Sequence, residues 1–205
     1  MINRRTALLT CLTLIATGAR AQTSPRDRAD LTRIEGYLNS IRTMRAKFVQ
    51  TAPDGDIARG KAFLQRPGKM RFEYDPPSPF LLVANRGTLI FHDDSLKQTT
   101  NIPLSHTPMG LLLADETKLS GDVTVTSFLR TPGQLQVGLV RAASPGEGTL
   151  TLILADDPML LRGWVVVDPQ GKQTRIVLTD LEQGARLDAK LFEFQNIIPA
   201  PGGGG

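Results

Sequence analysis

Between Arg66 and Thr100 the chain alternates hydrophobic and polar positions in short bursts. Met70, Phe72 and Tyr74 alternate with Arg71 and Glu73, and further apolar runs follow at Phe80 to Ala84 and Leu89 to Phe91. Pro67-Gly68, Asp75-Pro76-Pro77, Asn85-Arg86-Gly87 and Asp93-Asp94 separate these runs. Period-2 runs broken by turn residues predict consecutive antiparallel strands. Successive strand side chains point to opposite faces, so this sheet has one apolar and one wet face.

The rest of the chain repeats that grammar. Ser24-Pro25-Arg26-Asp27 resembles a capping box with proline at the first helical position, and Leu31, Ile34, Leu38 and Ile41 then mark one face of an amphipathic helix ending near Met44. Phe48 to Thr51 begins the first strand, and Ala62 to Arg66 alternates like the next. Parity places Ala62, Leu64 and Arg66 on one face, with Phe63 and Gln65 on the other. Thr107-Pro108 reads as the N-cap and first position of a short helix carrying Met109, Leu111, Leu112 and Leu113. Its leucines wrap the turn, so it needs an apolar surface beneath it, and the pattern by itself reads as a plug in an ordinary core. Beyond it, Val123 and Val125, Leu135 to Leu139 and Leu150 to Leu154 alternate. Trp164 to Val167 and Thr174 to Leu178 flank the turn Asp168-Pro169-Gln170-Gly171. A short turn at Leu187 to Leu191 and a last strand around Phe192 to Phe194 complete the expected elements, before a disordered tail over 199–205. The fold class is mainly β with α: a curved antiparallel sheet or incomplete β-barrel, with an N-terminal helix and one short helix between strands. Aromatic residues make up 5% of the chain, too few for the girdles of an outer-membrane barrel.

Charge and cysteine content change this picture little once the first residues are set aside. Residues 1–21 read as a cleaved secretory leader, with Arg4-Arg5, an apolar stretch from Ala7 to Ala16, and Ala19-Arg20-Ala21 as an A-x-A site. The residues after Arg4-Arg5 fit a twin-arginine route poorly, so ordinary secretion is expected. Without the leader, 21 basic residues face 20 acidic ones, a net charge of +1. A nucleic-acid partner is not expected from that balance. The single cysteine, Cys11, falls inside the leader, and Thr10 before it argues against lipidation. The exported chain, 22–198 as one domain, must therefore rest on a core without disulfides.

Candidate chemistry is sparse. Gly55 to Lys61 copies the start of a phosphate-binding loop, but Ala62 stands where Mg²⁺ binding needs Ser or Thr, and a strand follows instead of a helix. His92 and His106 lie in no ligand-spaced cluster, so neither a metal nor a cofactor is expected. Asp93-Asp94 and Asp156-Asp157 read as turn residues, and no nucleophile has a plausible base. The chain is not expected to be an enzyme. Arg66 stands out, because an arginine on the face of Leu64 needs acceptors for its donors or must reach solvent at the strand end.

One stretch resembles a known family. Arg66-Pro67, Arg71-Phe72-Glu73-Tyr74, Asp75-Pro76-Pro77, Leu81-Leu82-Val83, Gly87, Leu89-Ile90-Phe91 and Lys97-Gln98-Thr99 follow the order and spacing of the LolA-type periplasmic lipoprotein carriers. A weaker match runs from the helix before Phe48 to Leu187 through Phe194. The resemblance implies a short helical lid over a hydrophobic cavity, with Arg66 as the latch that bonds lid backbone. It implies a soluble, monomeric periplasmic carrier that takes acylated lipoproteins from an inner-membrane ATP-driven release complex to an outer-membrane receptor. Leu64, Met70, Phe72, Leu82, Ile90, Met109, Leu111, Leu112 and Leu113 are its candidate ligand-binding residues, and as a set they read equally well as plain core. A sensor or regulatory domain of the same fold, binding lipid or lipoprotein without transporting it, is the alternative.

Overall fold

The computed structural model describes residues 24–194, so both the expected leader and the expected disordered tail lie outside the described residues. In chain order the elements are α1 (Pro25–Ser40), β1 (Thr43–Thr51), β2 (Ile57–Gln65), β3 (Lys69–Tyr74), β4 (Phe80–Asn85), β5 (Thr88–Asp93) and β6 (Gln98–Pro103). Then follow α2 (Met109–Leu112), β7 (Val123–Thr131), β8 (Gln134–Arg141), β9 (Thr149–Ala155), β10 (Leu160–Val167) and β11 (Gln173–Gln183). The eleven strands form one antiparallel sheet in the order β6-β5-β4-β3-β2-β1-β11-β10-β9-β8-β7. Two meanders are thus joined where the first strand pairs with the last. The sheet does not close: β6 and β7, consecutive in the chain, are its two edges, and residues 104–122 connect them.

The sheet is strongly curved. Four inter-strand steps separate β3 from β10, which in a flat sheet is roughly 19 Å. Yet Phe72 on β3 and Trp164 on β10 hold their ring centroids 6.0 Å apart. The inward row of β1 (Met44, Ala46, Phe48) and that of β3 (Met70, Phe72) are buried together with Ile34 and Leu38 of α1 and with Met109, Leu111, Leu112 and Leu113. Gly60, directly opposite Phe48, is where β2 must stay bare: a Cβ there would stand 1.9 Å from the Glu73 carbonyl oxygen and 2.8 Å from the Phe48 ring.

Helix α1 begins as its sequence predicts. Ser24 Oγ accepts from the Asp27 N–H at 3.1 Å, and Asp27 accepts from the Ser24 N–H at 3.2 Å. It ends earlier than expected, at Ser40 instead of near Met44. Ile41 is the extended C-cap, and the inward alternation of Met44, Ala46 and Phe48 draws the following residues into β1, which starts at Thr43. The short helix is likewise capped differently. Pro108 occupies the N-cap position and makes no side-chain cap, while Thr107 Oγ1 donates to the Leu104 carbonyl at 2.9 Å. At the C-terminal end, a 3₁₀ turn over Ala189–Phe192 replaces the expected last strand. It lies on the outer face, where the Leu191 and Phe192 carbonyls accept from Arg71 and Asn85 at 3.2 and 3.0 Å.

Candidate functional site

The site begins where β2 stops. Strand parity turns Arg66 inward with Ala62 and Leu64, and the residue is only 7% exposed. Its N–H donates to the Arg42 carbonyl at 2.8 Å, fixing the backbone from which the side chain reaches. Arg66 Nε donates to the Ala114 carbonyl at 2.7 Å, Nη2 donates to Thr117 Oγ1 at 2.7 Å, and Nη1 donates to the Leu38 carbonyl. Longer contacts of 3.4 Å run from Nη2 to Asn39 Oδ1 and to the Asp115 carbonyl. One guanidinium thus joins the end of α1 to the segment after α2. Burial first, and the nearby Arg42 charge second, push its pKa below the usual arginine value, while Asp115 opposes them.

The segment after α2 is stitched down elsewhere too. The Gly68 N–H donates to the Leu113 carbonyl at 2.8 Å. Asn39 pairs with the Thr117 backbone in both directions, at 2.9 and 2.8 Å, and Glu35 accepts from the Leu119 N–H at 3.0 Å. None of these polar partners stood out in the sequence, because residues 27 to 84 positions apart share no local pattern.

Beneath Met109 lies an apolar cavity of about 190 Å³ inside the curl of the sheet. Four of the residues expected to touch ligand line it: Met70, Phe72, Leu82 and Met109. Its remaining walls come from Trp164, Val166 and Ile176, with Gln50, Tyr74 and Thr174 supplying side-chain polar groups. The Tyr74 hydroxyl donates to Gln50 Oε1 at 2.7 Å, and burial pushes the phenol pKa up to about 12, against the opposing effect of that bond. Small-molecule pockets commonly measure about 300–1,000 Å³. This cavity is smaller, as in an interior partly filled by its own side chains, and it opens toward solvent.

The other expected ligand residues are placed elsewhere. Leu64 and Leu112 surround the Arg66 stem, around a void of about 10 Å³. Leu113 is buried in the core, and Leu111 faces an open groove of about 360 Å³ between residues 110–123 and β8. Ile90 stands on the outer face. Its partner Val83 is in turn paired with Arg71, whereas Leu89 and Phe91 take the inward face. Among the described residues, no group of three or more His, Cys, Asp or Glu side chains is arranged to hold a metal ion.

A family model described as "Outer membrane lipoprotein carrier protein LolA" matches residues 39–195. The outer-membrane lipoprotein carrier protein of Methylococcus capsulatus is 32% identical over 185 residues, covering 86% of each chain. That of Pseudomonas aeruginosa is 29% identical over 199 residues, covering 93% of each. A solved LolA superfamily protein from Nitrosomonas europaea aligns with a TM-score of 0.43 at 13% identity over 80% of this chain and 97% of its own, a likeness too distant to carry weight.

Proposed function

This chain belongs to the LolA family of outer membrane lipoprotein carrier proteins, and from that premise we propose that it is a periplasmic carrier that binds the acyl chains of lipoproteins. It would collect them from an inner-membrane ATP-driven release complex and deliver them to an outer-membrane receptor. The observation that carries this reading is the Arg66 guanidinium, which ties the segment after α2 down beside an apolar cavity.

The energetics favour a latched carrier over an open one. Burying an acyl methylene is worth about 0.8 kcal/mol, so a chain of about sixteen carbons gains on the order of 12 kcal/mol. Such a ligand would leave slowly. A lid that must be displaced to admit the chain opposes that gain. Each charged hydrogen bond from Arg66 contributes about 1.5–3 kcal/mol to the closed form. Several such bonds, with the packing of Met109, Leu112 and Leu113, bring uptake and release closer to balance.

Native mass spectrometry of the protein recovered from the cell envelope tests this reading. The expected result is a population carrying the mass of a di- or triacylated lipoprotein. A protein recovered only as bare chain, under conditions where acylated lipoproteins survive, would overturn it.

A further inference from the structure

The apolar cavity has a direction. The strand register sorts its lining into successive inward rows along the strands. Met70 sits deepest, toward the Arg66 end, in the row of Met44 and Leu64. Phe72 and Leu82 face one another in the next row, and Tyr74 follows beside Gly60. Trp164, Ile176 and Gln50 form the row after that, and Val166 pairs with Thr174 in the last. From Met70 to Tyr74 alone the strand rises about 14 Å. The cavity is therefore a slot with sulfur and hydrocarbon at one end and an amide and hydroxyls at the other.

The polar end is arranged to donate. Tyr74 gives its proton to Gln50 Oε1 at 2.7 Å, which orients the amide and leaves both Nε2 hydrogens without a partner among the described residues. The Thr174 hydroxyl, in the neighbouring row, likewise has no hydrogen-bond partner among the described residues. A pure hydrocarbon filling the slot would cover these donors and leave them unpaired, which is costly. An ester or amide carbonyl at that level would accept from them.

We propose that Gln50, oriented by Tyr74 and assisted by Thr174, reads the carbonyl at the head of an acyl chain whose methyl end points toward Met70. This rests on the carrier reading and adds to it a polarity of binding and a ligand class: acyl esters and amides in preference to hydrocarbons. Gln50 and Thr174 touch ligand, and Tyr74 is a positioning residue.

Displacement of a bound fluorescent hydrophobic dye tests the proposal, with methyl laurate compared against tetradecane, an alkane of matching length. The parent should bind the ester at least about tenfold more tightly than the alkane. Gln50→Leu combined with Thr174→Val should lose that preference through weaker ester binding, with the alkane unchanged or tighter. Gln50→Glu keeps an acceptor for Tyr74 but presents no amide donor, so it should lose the preference as well. Tyr74→Phe should reduce it, since the amide is then free to rotate. A parent that does not discriminate, or variants that keep the preference, would overturn the inference while leaving the carrier reading standing. If neither ligand displaces the dye, the carrier reading falls and this inference with it.

Discussion

Arg66 Nη2 donates to Thr117 Oγ1 at 2.7 Å, joining the end of β2 to a loop 51 positions further along the chain. Both side chains are buried, and Thr117 is itself held by Asn39 through its backbone N–H and carbonyl. The contact therefore couples two buried groups: removing either leaves the other without its bond, and without Arg66 this turn of the loop still keeps the Asn39 bonds to the Thr117 backbone.

Arg66→Leu should release the loop. The Ala114 and Leu38 carbonyls and the Thr117 hydroxyl would each lose a charged donor worth about 1.5–3 kcal/mol. Amide hydrogen exchange at 114–117 should speed up by one to two orders of magnitude, and bound lipoprotein should pass to its receptor more slowly because the closed form no longer competes with ligand. Arg66→Lys should not restore parental behaviour, since an ammonium cannot span three acceptors set in a fork. A leucine variant that hands over lipoprotein as fast as the parent removes the latch from the mechanism.

A second tie holds α1 at its other end. Asp30 is buried, with Arg33 at 2.8 Å and Arg130 of β7 against its other oxygen. Burial opposes ionisation of Asp30, but the two guanidinium groups outweigh it and hold the carboxyl below its usual range. A carboxylate with a lowered folded pKa stabilises the fold above its unfolded pKa, and that contribution disappears as pH falls through the folded value. Arg130→Met should lower stability by about 1–2 kcal/mol at neutral pH, because it leaves one oxygen of the buried Asp30 carboxylate without its charged donor while Arg33 still holds the other. The loss should shrink in acid, as urea melts at pH 7 and pH 3 would register.

Much of this fold is written in local pattern, and the site is less so. Met70, Phe72 and Tyr74 alternate with charged residues, so their face could be assigned before any pairing was known. Leu89-Ile90-Phe91 is apolar throughout, and only its register against Leu82, Val83 and Ala84 turns Ile90 outward. Thr117 and Asn39 look like any loop and helix polar residues until Arg66 reaches them. Trp164, Ile176 and Gln50 border the cavity because the sheet curls far enough to bring β10 and β1 over β3. Which inward residues meet an unfilled space depends on that long-range curvature, which leaves no mark on strand periodicity.

Tyr74 supplies an alkaline signature. Burial raises its pKa to about 12 from the usual 10, so the neutral phenol stabilises the fold. That contribution is intact below about pH 10 and is lost as pH rises through about 12. It amounts to about 2–3 kcal/mol over that window. The chain's other tyrosine, Tyr37, is shifted upward by burial too and adds to the slope. Denaturant melts between pH 9 and pH 12 should show the decline, and Tyr74→Phe should make it shallower. An unchanged slope would mean that the Tyr74 phenol is hydrated.

The chain's single tryptophan is also a wall of the cavity, which makes the protein its own ligand sensor. Bromine quenches indole fluorescence only at close range, so a brominated acyl chain entering the slot should dim Trp164 and one bound elsewhere should not. Trp164 shares its row with Ile176, the residue paired with Gln50, while its ring lies 6.0 Å from that of Phe72, one row from Met70, so it sits midway along the slot. Bromines near the middle of the acyl chain should therefore quench more strongly than bromines at the methyl end. Val166→Phe, which fills part of the slot beside Trp164, should weaken binding of either label at least tenfold while leaving the thermal midpoint unchanged or higher. Saturable binding with no change in Trp164 emission would put the acyl chain outside this cavity.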